Sequence, residues 1–273
     1  MKFGKKDLPV GERILIMGVL NVTPDSFSDG GQFLSQTKAI EHAFRMVAEG
    51  ADIIDVGGES TRPGAEAVSV DEELTRVLPV IKEVARKTDV PVSIDSYKPE
   101  VAEKAIQSGA SMVNDIYGLR AKGMAEVAAK YKIPVCIMHM QGTPRDMQLN
   151  PVYADVIKDI KKFLKTQAEY AIKKGVGKDQ IIVDPGLGFG KTLEHNIQII
   201  KKLKDFKKLG YPILIGPSRK SFIGKILDVP VNERLTGTIA ATTICAMNSA
   251  DILRVHDVRE IRQAVKIVET VIR

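Results

Sequence analysis

Eight short runs of Val, Ile, Leu and Met recur along the chain, and each ends in polar or charged residues. They are RILIMGVLN, DIIDVGGESTR, VPVSIDS, SMVNDIY, IPVCIMHM, IIVDPGLGFGK, PILIGPSRK and ADILRVH. Continuous apolar runs of this length are what strands buried on both faces require. The stretches between them repeat their apolar residues at helical spacing, so the pattern predicts strand followed by helix, eight times over. The expected strands are 13–21, 52–57, 92–95, 112–116, 134–139, 181–184, 213–216 and 251–255. The expected helices are 37–49, 70–87, 99–109, 121–131, 152–174, 193–209, 231–248 and 258–272. A doubly wound open sheet also alternates strand and helix, but no dinucleotide fingerprint follows the first strand. Eight evenly spaced units favour an α/β fold of the (β/α)8 TIM-barrel type. Three connections, 21–36, 57–69 and 140–151, are long enough to be lids or binding loops.

In such a barrel every strand directs its C-terminal end to one face. The polar endings then converge there: Asn21, Thr61, Arg62, Asp95, Asn114, His139, Asp184, Lys220, Arg254 and His256. Composition narrows the reading. A chain of 273 residues suits one such barrel, and no Pro/Ser-rich linker divides it, so a single domain over 1–273 is expected. The net charge of +6 comes from lysines on helical stretches where acidic residues alternate with them, and Trp is absent. Solvated helix faces explain that better than a nucleic-acid surface. Cys136 and Cys245 have no metal-ligand spacing and read as buried reduced thiols. No signal-peptide pattern opens the chain, and ILIMGVL is too short to span a bilayer. These features point to a cytoplasmic protein with small-molecule substrates and without nucleic-acid or membrane partners.

Asp95 and Asp184 each close a β-rich run, so their carboxylates are expected at the barrel mouth with little water. Two acceptor-only groups suit a ligand with clustered N–H donors, such as the edge of a guanine or pterin. Asn114 and Lys220 would complete that reader. The plainer alternatives are that Asp184 caps the Pro185-Gly186 turn and Asp95 caps the following helix. Arg254 and His256, two apart at the end of strand eight, with Asn21 and the loop residues Thr61 and Arg62, describe an anion site. For His256 the alternative is a helix cap or a core hydrogen bond. The segment DPGLGFGKT ends like a phosphate-binding P-loop, but Pro185 stands where that motif needs glycine, so a tight Gly-rich turn explains it better. His42 and His195 fall on expected helices and read as surface residues. No Ser–His–Asp, Cys–His or HExxH grouping occurs.

The runs NVTPDSFSDGG and GADIIDVGGESTRPGA resemble the dihydropteroate synthase family, folate-pathway transferases targeted by sulfonamides. SIDSYKP, GASMVNDIYG, DPGLGFGK, GPSRKSFIG and RVHDV agree in order, over essentially the whole chain. The resemblance implies an enzyme joining 6-hydroxymethyl-7,8-dihydropterin diphosphate to 4-aminobenzoate, in its single-activity form. It implies that Asp95, Asn114, Asp184 and Lys220 hold the pterin. Asn21, Thr61, Arg62, Arg254 and His256 would hold the diphosphate, with Mg²⁺ on Asn21. Ser221, Lys220, Phe27 and Pro63 would line the aminobenzoate slot, and Asp29 would ride a lid loop. Catalysis would fall to Asp95, Asp184, Lys220, Arg254 and His256, and the assembly would be a homodimer. The competing readings are a pterin-dependent methyltransferase, a Schiff-base aldolase using Lys220, and a non-catalytic pterin carrier.

Overall fold

The computed structural model describes residues 1–23, 31–61 and 64–272, with backbone only for 31–35. A two-stranded hairpin, β1 (Lys2–Phe3) and β2 (Lys6–Asp7), precedes the barrel. The barrel strands are β3 (Leu15–Asn21), β4 (Ile53–Gly57), β5 (Val92–Asp95), β6 (Met112–Asp115), β7 (Val135–Met138), β8 (Ile181–Asp184), β9 (Leu214–Ile215) and β10 (Ile252–Val255). They pair in parallel in the order β8-β7-β6-β5-β4-β3-β10-β9. The parallel bridge between Val183 and Ile213 joins the two ends and closes the ring.

Helices α1 (Gly31–Ala48), α2 (Val70–Lys87), α3 (Pro99–Gln107), α4 (Met124–Tyr131), α5 (Val156–Lys173), α6 (Leu193–Lys201), α7 (Ser221–Leu227), α8 (Leu235–Met247) and α9 (Val258–Ile272) surround the strands. Their starts follow local chemistry. Ser69 accepts from Glu72 N to cap α2, Asp155 accepts from Ile157 N and Lys158 N to cap α5, and Pro99 opens α3. Three expectations are adjusted. The helix expected over 193–209 is α6 followed by a 3₁₀ segment, Leu203–Leu209. A separate α7 follows β9 before the helix that was expected to start at 231. The first helix begins at Gly31, inside the span read as loop.

Alternation along the strands divides the core in two. Outward side chains such as Ile16, Ile54, Val113, Val183 and Leu253 pack beneath the helices. Inward ones, Leu15, Met17, Ile53, Met112, Cys136, Ile182, Leu214 and Ile252, fill the barrel together with Phe3 and Leu8 from the hairpin segment. The hairpin therefore plugs the bottom of the barrel. Two residues further along several strands, the next inward position is polar: Asp55, Asn114, Asp184 and Arg254. The apolar layer is the floor of the site above it.

Candidate active site

The cleft at the C-terminal end of the barrel, open to solvent, is lined by Asp95, Asn114, Asp184, Lys220 and Arg254, with Ile116, Met138, Leu187 and Phe189 as apolar walls, together with Thr61. Apolar walls with a few convergent polar groups suit a planar heterocycle.

Strand register sets the polar groups side by side. Asp95 on β5 pairs with Asn114 on β6, and Gly57 on β4 pairs with both Asp95 and Asn21. Asp55 is fully buried, and its Oδ2 accepts from Asn114 Nδ2 at 2.9 Å and from Arg254 Nε at 2.6 Å. Arg254 Nη2 donates to Asp95 Oδ2 at 2.6 Å. One guanidinium is therefore held between two carboxylates, and its cost of burial is offset by both. Asp55 was not among the candidates read from sequence, yet it fixes two residues that were. The second oxygens of Asp55 and Asp95 are buried without a partner.

The alternatives for the two expected acids resolve differently. Asp184 Oδ1 accepts from Gly186 N at 2.7 Å, so it caps its turn and lines the cleft at once. Asp95 caps nothing: α3 starts at Lys98 without a side-chain cap, and Ser96 Oγ accepts from Lys98 N at 3.2 Å. Burial raises the Asp95 carboxyl well above its ordinary range, against the pull of Arg254. Burial raises Asp184 to about 6, opposed by the Gly186 amide and by Lys220. Lys220 is pushed down to about 8 by burial and then by Arg254, and its ammonium sits 4.1 Å over the Phe189 ring.

His256 lies just beyond β10 and is turned to Ser218, whose Oγ is 2.9 Å from its Nδ1. Burial, then Arg254, drives its basicity down to about 3, so it is a neutral imidazole beside the cleft and lines no part of it. Asn21 ends β3 half-buried beside Gly57, and Ser221 opens α7 exposed to solvent. Phe27, Asp29, Arg62 and Pro63 lie outside the described residues. His139 is buried against the edge of Phe163, 5.0 Å between ring centres. His195 is not the surface residue expected: it caps α6 with Thr192 and packs on Tyr153 at 4.9 Å. Tyr97 OH donates to Glu59 Oε1 at 2.7 Å, and the Lys98 ammonium bonds Glu59, Glu73 Oε2 (2.6 Å) and Val68 O (2.6 Å). That cluster, also missed from sequence, ties both ends of the connection after β4 to the start of α3.

A parallel barrel whose mouth holds three buried acids, one shared arginine and a lysine over an aromatic ring matches a known class. The family described as pterin binding enzyme matches residues 17–256, and the chain belongs to it. Within that family its relatives are dihydropteroate synthases, transferases of folate biosynthesis. The dihydropteroate synthase of Clostridium beijerinckii is 51% identical over the full length of both chains. The structure of Yersinia pestis dihydropteroate synthase with a sulfonamide drug complex superposes with a TM-score of 0.94 at 45% identity, covering 99% of this chain and 98% of that one. Dihydropteroate synthase from Clostridium difficile, determined in the presence of pteroic acid, superposes with a TM-score of 0.93 at 51% identity over 98% of this chain and all of that one. These relatives favour the synthase over the methyltransferase, aldolase and carrier readings.

Proposed function

We propose that this cleft takes 6-hydroxymethyl-7,8-dihydropterin diphosphate and joins it to 4-aminobenzoate, releasing diphosphate. The observation that carries this is the unpartnered Asp95 Oδ1, buried in a cleft that Asp184 also lines. Buried acceptors without donors are costly, and the clustered N–H groups of an aminopyrimidinone edge would satisfy them. Asn114 adds an amide to that edge, and Lys220 adds a donor for a ring carbonyl or ring nitrogen.

Cleavage of the pterin C–O bond spreads positive charge into the ring, and Asp95 and Asp184 stabilise it once ionised. Arg254 faces the departing negative charge with Asn21, Thr61 and Arg62, while His256, neutral and held by Ser218, serves as a hydrogen-bonding group there. The aryl amine attacks a cation-like carbon, so no protein nucleophile is required. Ser221 is assigned to the aminobenzoate carboxylate as a hydroxyl donor beside Lys220; the family resemblance gives Phe27 and Pro63 to the same substrate and Asp29 to a lid. Asn21, half-buried at the end of β3, would offer Mg²⁺ one amide oxygen, with diphosphate oxygens and water able to supply the rest of its shell. When bound it would neutralise the leaving diphosphate.

A homodimer is proposed through α7 and α8, which pack on each other and leave Ile226, Leu227, Ile244 and Met247 exposed. α8 (LTGTIAATTICAM) is apolar around most of its circumference, as a helix covered on two sides should be. Light scattering showing a monomer at micromolar concentration would reject the dimer. A cytoplasmic location rests on the two free, buried thiols, and no described helix is long and apolar enough to cross a membrane. The function is tested by following diphosphate release from the pterin diphosphate. Release that requires both 4-aminobenzoate and Mg²⁺, with dihydropteroate formed in equal amount, is expected. Release without incorporation of the amine would overturn the synthase assignment.

A further inference from the structure

Lys191 ends the Gly-rich turn that resembles a P-loop without being one. Its ammonium reaches no phosphate position, because the side chain is folded inward and the residue is only 3% exposed. Nζ donates to Phe189 O at 2.8 Å and His139 O at 3.3 Å, and lies 3.1 Å from His139 Nδ1. An ammonium only donates, so Nδ1 accepts and His139 is the neutral tautomer protonated on Nε2. Its bonded partners are thus two carbonyls and an imidazole, and it enters no ion pair among the described residues. A buried ammonium without a carboxylate partner is expensive. A methionine or leucine would fill the same space at less cost, which marks the charge as useful.

The turn shows the use. Its first residue is Asp184, anchored by Gly186 N, and its fourth inward contact is Phe189, whose ring lies under the Lys220 ammonium. Lys191 grips the Phe189 carbonyl from behind. The turn can run this close to β7 only because Gly186 (φ +71°) and Gly190 (φ +62°) lack side chains: a Cβ would fall 2.1 Å from His139 O and 2.6 Å from Gln141 O. We propose that Lys191 is a positioning residue: its bonds to His139, whose own backbone N–H donates to Asp184 O at 2.9 Å, and to the Phe189 carbonyl fix the turn so that Phe189 lies beneath Lys220 and a buried ammonium stands in the field of the Asp184 carboxylate.

The titratable and charged groups that act on Asp184 are Lys220 at the start of α7, Lys191 on the turn, Arg254 on β10, and the thiols of Cys136 on β7 and Cys245 on α8. Lys220, Lys191 and Arg254 all favour the ionised acid against its burial. Around Lys191 the charged groups are Asp184, which supports the ammonium, and Lys220, which opposes it; Arg120 acts on His139. Burial lowers Lys191 to about 7 and raises Asp184 to about 6, so the two titrate over neighbouring ranges and the ammonium is charged on the acid side of both.

The test does not require a substrate. The Asp184 carboxyl carbon, assigned by its loss in Asp184→Asn, is titrated by carbon-13 NMR in the free protein. Lys191→Met is expected to raise its midpoint by about one pH unit, while Lys191→Arg leaves it near the wild-type value. An unchanged midpoint in folded Lys191→Met would overturn the proposal. If that variant does not fold, His139→Leu removes one acceptor and should move the midpoint the same way by less, and no movement there overturns it equally. The consequence for binding rests on the pterin reading of the cleft: Lys191→Met should lose about fivefold in affinity for 6-hydroxymethylpterin near pH 6 and recover it near pH 8. An equal loss at every pH would reduce Lys191 to a packing role. Failure of the wild-type protein to bind the pterin would instead count against the proposed function, leaving the carboxyl titration to judge Lys191.

Discussion

The two ends of the barrel treat the same residue type in opposite ways. At the bottom, Asp52 accepts from Arg13 at 2.6 Å, from Ile16 N at 2.8 Å and from Arg262, while Asp251 accepts from Ile213 N at 2.6 Å and from Lys207. Burial works against the charge of Asp52, but these donors outweigh it and its carboxyl stays below the ordinary range. At the mouth, burial wins: Asp95 and Asp184 are both raised. The difference is the supply of donors. The bottom acids are satisfied by the chain itself and hold strand β3 and strand β10 in place. At the mouth Asp95, which lines the cleft, leaves its Oδ1 without a partner, and the fold carries that penalty until a ligand brings a donor.

The strongest way to break this contrast is Arg254→Ala. It strips the shared cation from Asp55 and Asp95, and turnover should fall at least about 100-fold as transition-state charge stabilisation is lost. Removing one partner of a buried ion pair costs about 3–5 kcal/mol, less whatever protonation of the acids relieves, readable in urea unfolding. Wild-type turnover with unchanged diphosphate affinity would make the arginine purely structural. Next in size, Asp184→Asn puts an amide donor against a ligand donor and should cost about 2 kcal/mol in pterin binding by calorimetry. Unchanged affinity would remove Asp184 from the reader. At the other end, Asp52→Asn should cost about 1 kcal/mol of stability, since Arg13 is partly exposed, and leave KM for both substrates unchanged. A shift in KM there would erase the distinction between the two ends.

The smallest effect is the pH dependence of stability. Asp52 is depressed in the fold, so its contribution is present above its unfolded pKa and is lost as pH falls through the folded value. Asp184 is raised to about 6, so the folded state binds its proton more tightly than the unfolded chain does. Its share of stability is present below the unfolded value near 4 and is lost as pH rises toward 6. Asp184→Asn should therefore flatten the decline between about pH 4 and pH 6, while Asp52→Asn should flatten only the acid side. Identical pH profiles for the two variants would contradict the opposite shifts.

Much of the mouth was legible in sequence because a polar residue ending an apolar run is conspicuous. Asp95, Asn114, Asp184, Lys220 and Arg254 all surfaced that way, and the structure gathers them in one cleft. Asp55 escaped because it lies inside its run, between Ile54 and Val56, and not at the run's end. The signal was the inward period of two: Ile53 to Asp55 repeats Met112 to Asn114, Ile182 to Asp184 and Ile252 to Arg254. Lys191 closes a segment that resembles a P-loop, and its place in the sequence does not show that its side chain folds back toward His139. The short β9 and separate α7 escaped because the Gly216-Pro217 step ends strand pairing abruptly and Asp228, at φ 56°, closes a helix of only two turns. The hairpin plug escaped because its two-residue strands carry no period at all.

The central claim, that the mouth acids await the donors of a pterin, is tested most directly by proton linkage. Calorimetric titration of 6-hydroxymethylpterin is run near pH 6 in buffers of different ionisation enthalpy. Ligand N–H groups favour the charged carboxylates, so binding should lower the pKa of Asp184 and of Asp95 and release protons to the buffer. The account predicts a net release that disappears near pH 9 and shrinks in Asp184→Asn. Pterin binding with no proton release near pH 6, or with proton uptake, would contradict it.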